Sequence, residues 1–160
     1  MTAGDTAGVV APPPLIALAA IVLGVGLDWL LPVGLLAAMN VDLRLVLAIA
    51  AAAPGLWLGL RAIAAFRRAG THVEPWKPST ALVTQGVYAF VRNPMYLALG
   101  LGILAIAFVA ASDWTLLMLV PFALLIHFGV VLREERYLRA KFGEEYRRYS
   151  ERAPRYVWRF

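Results

Sequence analysis

Residues 94–132, PMYLALGLGILAIAFVAASDWTLLMLVPFALLIHFGVVL, decide what kind of protein this is. They contain two runs, 94–112 and 114–132, each about nineteen residues without a formal charge, with only Ser112-Asp113 between them. The hydrocarbon core of a bilayer needs roughly 20 apolar residues per helix. Two such runs joined by so short a link predict a tight antiparallel helical hairpin in a membrane. Pro94 suits the first helical position, where a missing N–H costs nothing.

The rest of the chain agrees. Hydrophobic residues make up 61% of the 160 and charged residues only 16%, against about 25% charged in an ordinary soluble domain. Upstream lie two further apolar segments. The first, residues 14–31, is interrupted only by Asp28 and stopped by Pro32. The second, residues 45–60, is uncharged and flanked by Arg44 and Arg61, whose snorkelling stems extend its reach to about residue 66. Pro54-Gly55 predicts a kink in this helix, of a kind that membrane helices tolerate. Residues 33–39 are too short to span and read as an interfacial turn. Asp28 can be read as a functional intramembrane acid or, more plainly, as a helix-end residue beside Trp29 that meets headgroups and water. The opening MTAGDTAGVVAPPP lacks a basic region and reads as a disordered lead-in rather than a signal peptide.

The expected fold is therefore an all-α integral membrane protein, a single domain over 1–160. It has four transmembrane helices (about 14–31, 45–66, 94–112 and 114–132), a polar loop over 67–93 and an amphipathic C-terminal helix. Lys and Arg number 15 against 10 Asp and Glu. Thirteen of those cations fall within 67–92 and 133–160, and the opposite connections hold only Arg44. The positive-inside rule then puts both termini, the loop and the active site on the cytoplasmic side. The absence of cysteine excludes a disulfide framework and thiolate chemistry. No metal site and no nucleic-acid partner are expected. In the tail, Tyr137, Leu138 and Phe142 make one apolar stripe, Gly143 is a plausible stop, and Tyr156, Trp158 and Phe160 look like interfacial anchors.

Chemistry has few places to go. The open end of the hairpin brings Arg92-Asn93-Pro94 beside Arg133-Glu134-Glu135. His127 and Glu134 are seven residues apart and, on a regular helix, share a face. Each residue also has a plainer role: Glu135 can pair with Arg139 one turn on, His127 can be a packed histidine, and Tyr88 and Tyr96 can be aromatic-belt residues. The combination of polar loop, hairpin mouth and carboxylate pair is what points to a site.

The order TALVTQGVYAFVRNPMYL (80–97), then EERYLRAKFGEEYRRYSERAPR (134–155), resembles the isoprenylcysteine carboxyl methyltransferase/phospholipid methyltransferase family of membrane enzymes. The family pattern is T-L-V-T-x-G-x-Y, then R-(H/N)-P-x-Y, then E-E-x-x-L and F-G-x-x-Y-x-x-Y. Here Ala81 to Thr84, Gly86, Tyr88, Arg92 to Tyr96, Glu134-Glu135, Leu138, Phe142-Gly143, Tyr146 and Tyr149 supply it. The resemblance covers residues 70–155. It implies S-adenosyl-L-methionine as cofactor and S-adenosyl-L-homocysteine as product. The cofactor would be held by Thr80, Ala81, Leu82, Val83, Tyr88, Arg92, Asn93, Tyr96 and Glu135. Asn93 stands where many members carry histidine.

The activity so implied is in-line methyl transfer to a lipophilic acceptor arriving from the bilayer: a phospholipid amine, a prenylcysteine-like carboxylate or another membrane-dissolved molecule. His127, Glu134 and Arg133 are the candidate catalytic residues. The competing classes are a sterol-reductase-like enzyme using NADPH and a non-catalytic membrane binding or assembly protein on the same scaffold.

Overall fold

The computed structural model describes residues 6–157. Trp158 and Phe160, expected as interfacial anchors, lie outside the described residues. So does the beginning of the lead-in. Among the described residues there is no β-strand, and residues 81–85 lead without regular structure into a short 3₁₀ turn, Gly86–Ala89.

The helices are α1 (Pro13–Leu30), α2 (Val41–Arg68), α3 (Pro94–Ala110), α4 (Asp113–Leu117), α5 (Leu119–Ile126) and α6 (Leu132–Arg152). One π-helical turn, His127–Val131, joins α5 to α6. Because α4 through α6 run end to end, they form one 40-residue helical rod, Asp113–Arg152, bent at Gly143. Among the described residues, this rod, α1 and α2 are the three helices long and apolar enough to cross a membrane. The fourth apolar helix, α3, has 17 residues, or about 26 Å of rise.

α2 is built inside-out relative to a helix of a soluble protein. α2 buries Ala48, Ala51, Gly55 and Ala62 while exposing Val46, Ile49, Leu56, Trp57 and Leu60. Small residues inward and large aliphatics outward are what helix packing in lipid requires, because backbones must approach closely. Gly55 faces α3 closely: a Cβ there would lie 3.0 Å from Leu101 Cβ. Gly24 of α1 is tighter still, with a Cβ falling 2.5 Å from Thr115 Cα of α4. α3 is central, with α2 on one side and α1, α4 and α5 on the other. The remaining core packs Ile16, Ala20, Ile103, Phe122 and Val130 together.

α2 accommodates Pro54-Gly55 inside one helix. Other expectations need correction. The predicted fourth span, 114–132, is not one regular helix: it steps at Met118 and widens into the π turn. Gly143 does interrupt α6, as expected: it takes φ 49 and ψ −118, a positive φ that glycine adopts without steric cost, and a second helical stretch starts beyond it in a new direction and ends at Arg152. Asp28 is not left to headgroups: Ser112 Oγ donates to its carboxylate and accepts from Thr115 N–H at 3.0 Å. Beside it Asp113 accepts from Leu35 N–H at 2.9 Å and Leu36 N–H at 3.0 Å. The interfacial turn 33–39 is thereby tied to the hairpin tip.

Candidate functional site

At the other end of the hairpin, Arg92 and Asn93 lead into α3 while Glu134 and Glu135 stand in the first turn of α6. Both ends of that mouth are fixed by the chain beyond α6. Pro154 cannot continue a helix, and α6 ends at Arg152. Residues 153–156 then turn back under the bundle. Arg92 N–H donates to Pro154 O at 2.9 Å, and Asn93 Nδ2 donates to Arg155 O at 3.0 Å.

Arg155 continues this return with a bidentate contact to Glu135: Nε to Oε1 at 2.8 Å and Nη2 to Oε2 at 2.7 Å. Arg92 Nη1 reaches the same carboxylate at 3.0 Å and donates to Tyr146 Oη at 3.1 Å. Glu135 is buried, 7% exposed, and both its oxygens are occupied. Two guanidinium groups on one carboxylate leave a net positive charge, and Arg92 Nε is buried with no hydrogen-bond partner. The Glu135 contacts raise the already high basicity of Arg155, so that side chain stays cationic.

Glu134 faces differently. It accepts from Tyr96 Oη at 2.7 Å and lies just past the apolar run, which ends at Leu132. Part of its surface opens onto the cleft, yet packed protein surrounds it. Desolvation pushes its carboxyl up to about 7, partly opposed by the Tyr96 hydrogen bond. Tyr88 and Tyr149 are raised well above the usual phenol range by burial, so both remain neutral donors. Tyr149 Oη donates to Tyr88 O at 2.8 Å, which ties α6 to the 3₁₀ turn.

These groups line one cleft between the loop, the mouth of the hairpin and α6. Its walls include Ala81, Leu82, Val83, Tyr88, Arg92, Asn93, Tyr96, Glu134 and Glu135. Thr80 is outside it: its N–H donates to Thr71 Oγ1 at 2.9 Å and its hydroxyl to Gly70 O at 3.2 Å, so it pins the loop. Arg133 is exposed and donates to Gly8 O at 2.8 Å, on the lead-in side of the rod. His127 is also outside the cleft. The π turn adds a residue to the winding between it and Glu134, so the two no longer share a face. His127 Nδ1 instead pairs with Tyr156 Oη at 2.9 Å, at the end of an apolar groove along α3 and α5.

Sequence reasoning gave no site role to Tyr146, Tyr149, Arg155 or Tyr156. The two inner tyrosines were visible in the F-G-x-x-Y-x-x-Y pattern. Arg155 had a weaker signal, a proline that ends an amphipathic helix just before a lone arginine.

The sequence is 40% identical over 63 residues to an uncharacterized protein of Haemophilus influenzae, an overlap covering 39% of this chain and all of that one. No solved structure matches the chain. The model of the phospholipid methyltransferase family matches residues 43–145, which run from the first turn of α2 through the loop and α3 to α5 and into α6 just past Gly143. The chain belongs to the phospholipid methyltransferase family, whose members are membrane methyltransferases.

Proposed function

We propose that the protein is an S-adenosylmethionine-dependent methyltransferase acting on an amine-bearing, lipophilic acceptor. The observation that carries this reading is Glu134: a desolvated carboxyl held by Tyr96 at the meeting point of a polar cleft and the apolar surface of α3. Tyr96 also lines an apolar groove between α1 and α2, floored by Ala98, Gly102 and Ala105 of α3. A molecule with its chain in that groove presents its head to Glu134.

The cleft fits the cofactor by its donor set. The orphaned Arg92 Nε and the net positive charge around Glu135 suit an amino-acid carboxylate. Leu82, Val83 and the rings of Tyr88 and Tyr146 suit a flat heterocycle. When bound, the cofactor supplies a methyl group activated by a sulfonium. Glu135 acts as a positioning residue: its oxygens are spent on Arg92 and Arg155, and it holds both cations at the cleft wall. Asn93 does the same for the tail, through Arg155 O. Glu134, with a pKa near neutrality, takes the proton that an ammonium acceptor must lose before its nitrogen can attack. Tyr96 orients that carboxylate. His127 and Arg133 have no part in this proton transfer.

The same reading takes α3 as a fourth, short span and places the cleft on the cytoplasmic side, with the basic loop and α6. Titration calorimetry of the full chain in detergent tests the cofactor. S-adenosylmethionine and S-adenosylhomocysteine are expected to bind and NADPH is not. Binding of NADPH alone would refute the proposal. Transfer of a labelled methyl group to an aminophospholipid, lost in Glu134→Gln, tests the acceptor.

A further inference from the structure

Behind the cleft, on the opposite side of Leu82-Val83, lies a second cavity of about 540 Å³ that the methyl-transfer reading does not use. Its walls come from the last turns of α2 and from residues 82–90. Arg61 and Arg68 are seven residues apart on α2 and share its face. Both are exposed, and neither has an ion-pair partner among the described residues. The lining contains no acidic residue. The only polar side chains it adds are those of Thr84 and Gln85, both hydrogen-bond donors. Trp57, one turn before Arg61, is 56% exposed, with the Arg61 guanidinium 5.9 Å from its ring centroid. Phe90, at the far rim, is 79% exposed.

We propose that this cavity binds the phosphodiester of an anionic phospholipid. Its position along the helix sets the chemistry. The uncharged run 45–60 ends immediately before Arg61, so the arginines stand at headgroup level and Trp57 stands one turn deeper, where acyl chains begin. Two unpaired guanidinium groups beside a tryptophan and an exposed phenylalanine complement a headgroup phosphate attached to hydrocarbon. A soluble anion would match the guanidinium groups but give Trp57 and Phe90 no attached hydrocarbon to pack against. The bound lipid is not the methyl acceptor, because Glu134 is on the other side of Leu82-Val83. It would buttress the cofactor wall from behind.

The test uses the purified full chain equilibrated with mixed phosphatidylcholine/phosphatidylglycerol vesicles, then re-isolated in detergent for analysis of retained lipid. Phosphatidylglycerol is expected to be enriched over its bulk proportion. Enrichment should fall about fivefold in Arg61→Gln and again in Arg68→Gln, following the roughly 1 kcal/mol per basic residue typical at an anionic surface. It should persist in Arg68→Lys and in Arg147→Gln, an arginine on α6 paired with Glu144 and Glu151. Retention at the bulk ratio, or undiminished enrichment in the double variant, overturns the proposal. Millimolar inorganic phosphate is expected to leave the lipid in place. If it strips the lipid from the wild type, the cavity reads a soluble anion and the lipid assignment falls.

Discussion

Replacing Glu135 by glutamine should destabilise the fold as well as disturb the cleft, and by an amount that can be worked out. The Glu135 side chain is 9% exposed, that of Arg92 12% and that of Arg155 36%. Losing the carboxylate charge leaves Arg92 buried, with Nε already lacking a partner. Removing one member of a buried pair in this way costs about 3–5 kcal/mol. Arg155→Gln should cost less, about 1–2 kcal/mol, because solvent screens its more open side and Arg92 still faces the carboxylate. The double variant should lose about 1–2 kcal/mol less than the sum of the two, since the second change has nothing left to break. Denaturant unfolding of the cofactor-free protein in mild detergent, followed by tryptophan fluorescence, measures all three. A Glu135→Gln midpoint indistinguishable from wild type, or strict additivity, would refute the claim that this carboxylate anchors the tail. The family resemblance implied only a cofactor-binding role for Glu135. The arginine contacts predict both losses together.

Three further outcomes are expected. A carboxyl that titrates near 4.5 unfolded and about 7 folded keeps a proton in the fold that the open chain has lost, so stability should fall as pH rises between those values and level off above. Glu134→Gln should flatten that slope in melts taken across the range, and Tyr96→Phe, by removing the bond that lowers the Glu134 pKa, should move both the slope and the pH–rate limb upward. Gly24→Ala should force α1 away from α4, because its Cβ would fall 2.5 Å from Thr115 Cα; a loss of roughly 2 kcal/mol or more is expected from overpacking, read as a lower unfolding midpoint. Asp113→Ala leaves the exposed N–H of Leu35 and the part-buried N–H of Leu36 without their acceptor and should cost about 1–2 kcal/mol with no change in S-adenosylmethionine affinity by calorimetry, since it lies at the opposite end of the bundle.

How much of this was legible follows from what each feature depends on. The apolar runs, the hairpin link at Ser112-Asp113 and the continuation of α6 past Leu132 were written in local composition. The short hairpin link also placed Arg92 and Asn93 beside the two glutamates, whereas the addition of Ala81 to Val83 and Tyr88 to that mouth came only from the family resemblance. The return of the tail was not legible. Arg155 reaches Glu135 over twenty positions and through two changes of direction, at Gly143 and Pro154, neither of which has a period to detect. The π turn was invisible for a related reason. His127 to Val131 looks like any apolar helix, and no period in it marks the widened winding, whose Gly129 O accepts from Val10 N–H at 3.2 Å. The seven-residue spacing of His127 and Glu134 was correct as arithmetic and misleading as geometry.

That widened turn gives the chain a local tolerance of shortening. One i→i+5 turn takes about one residue more than the α turn it replaces while covering nearly the same rotation and rise. Deleting one of residues 127–131 would therefore let the rod rewind as α-helix with α5 and α6 in almost their present phase, so that Glu134 would keep Tyr96 and Glu135 both arginines. A deletion elsewhere in α5, or between Leu132 and Glu134, would instead rotate everything beyond it by about 100°. In a library of variants, this short stretch should be the one place along the rod that accepts a single-residue loss.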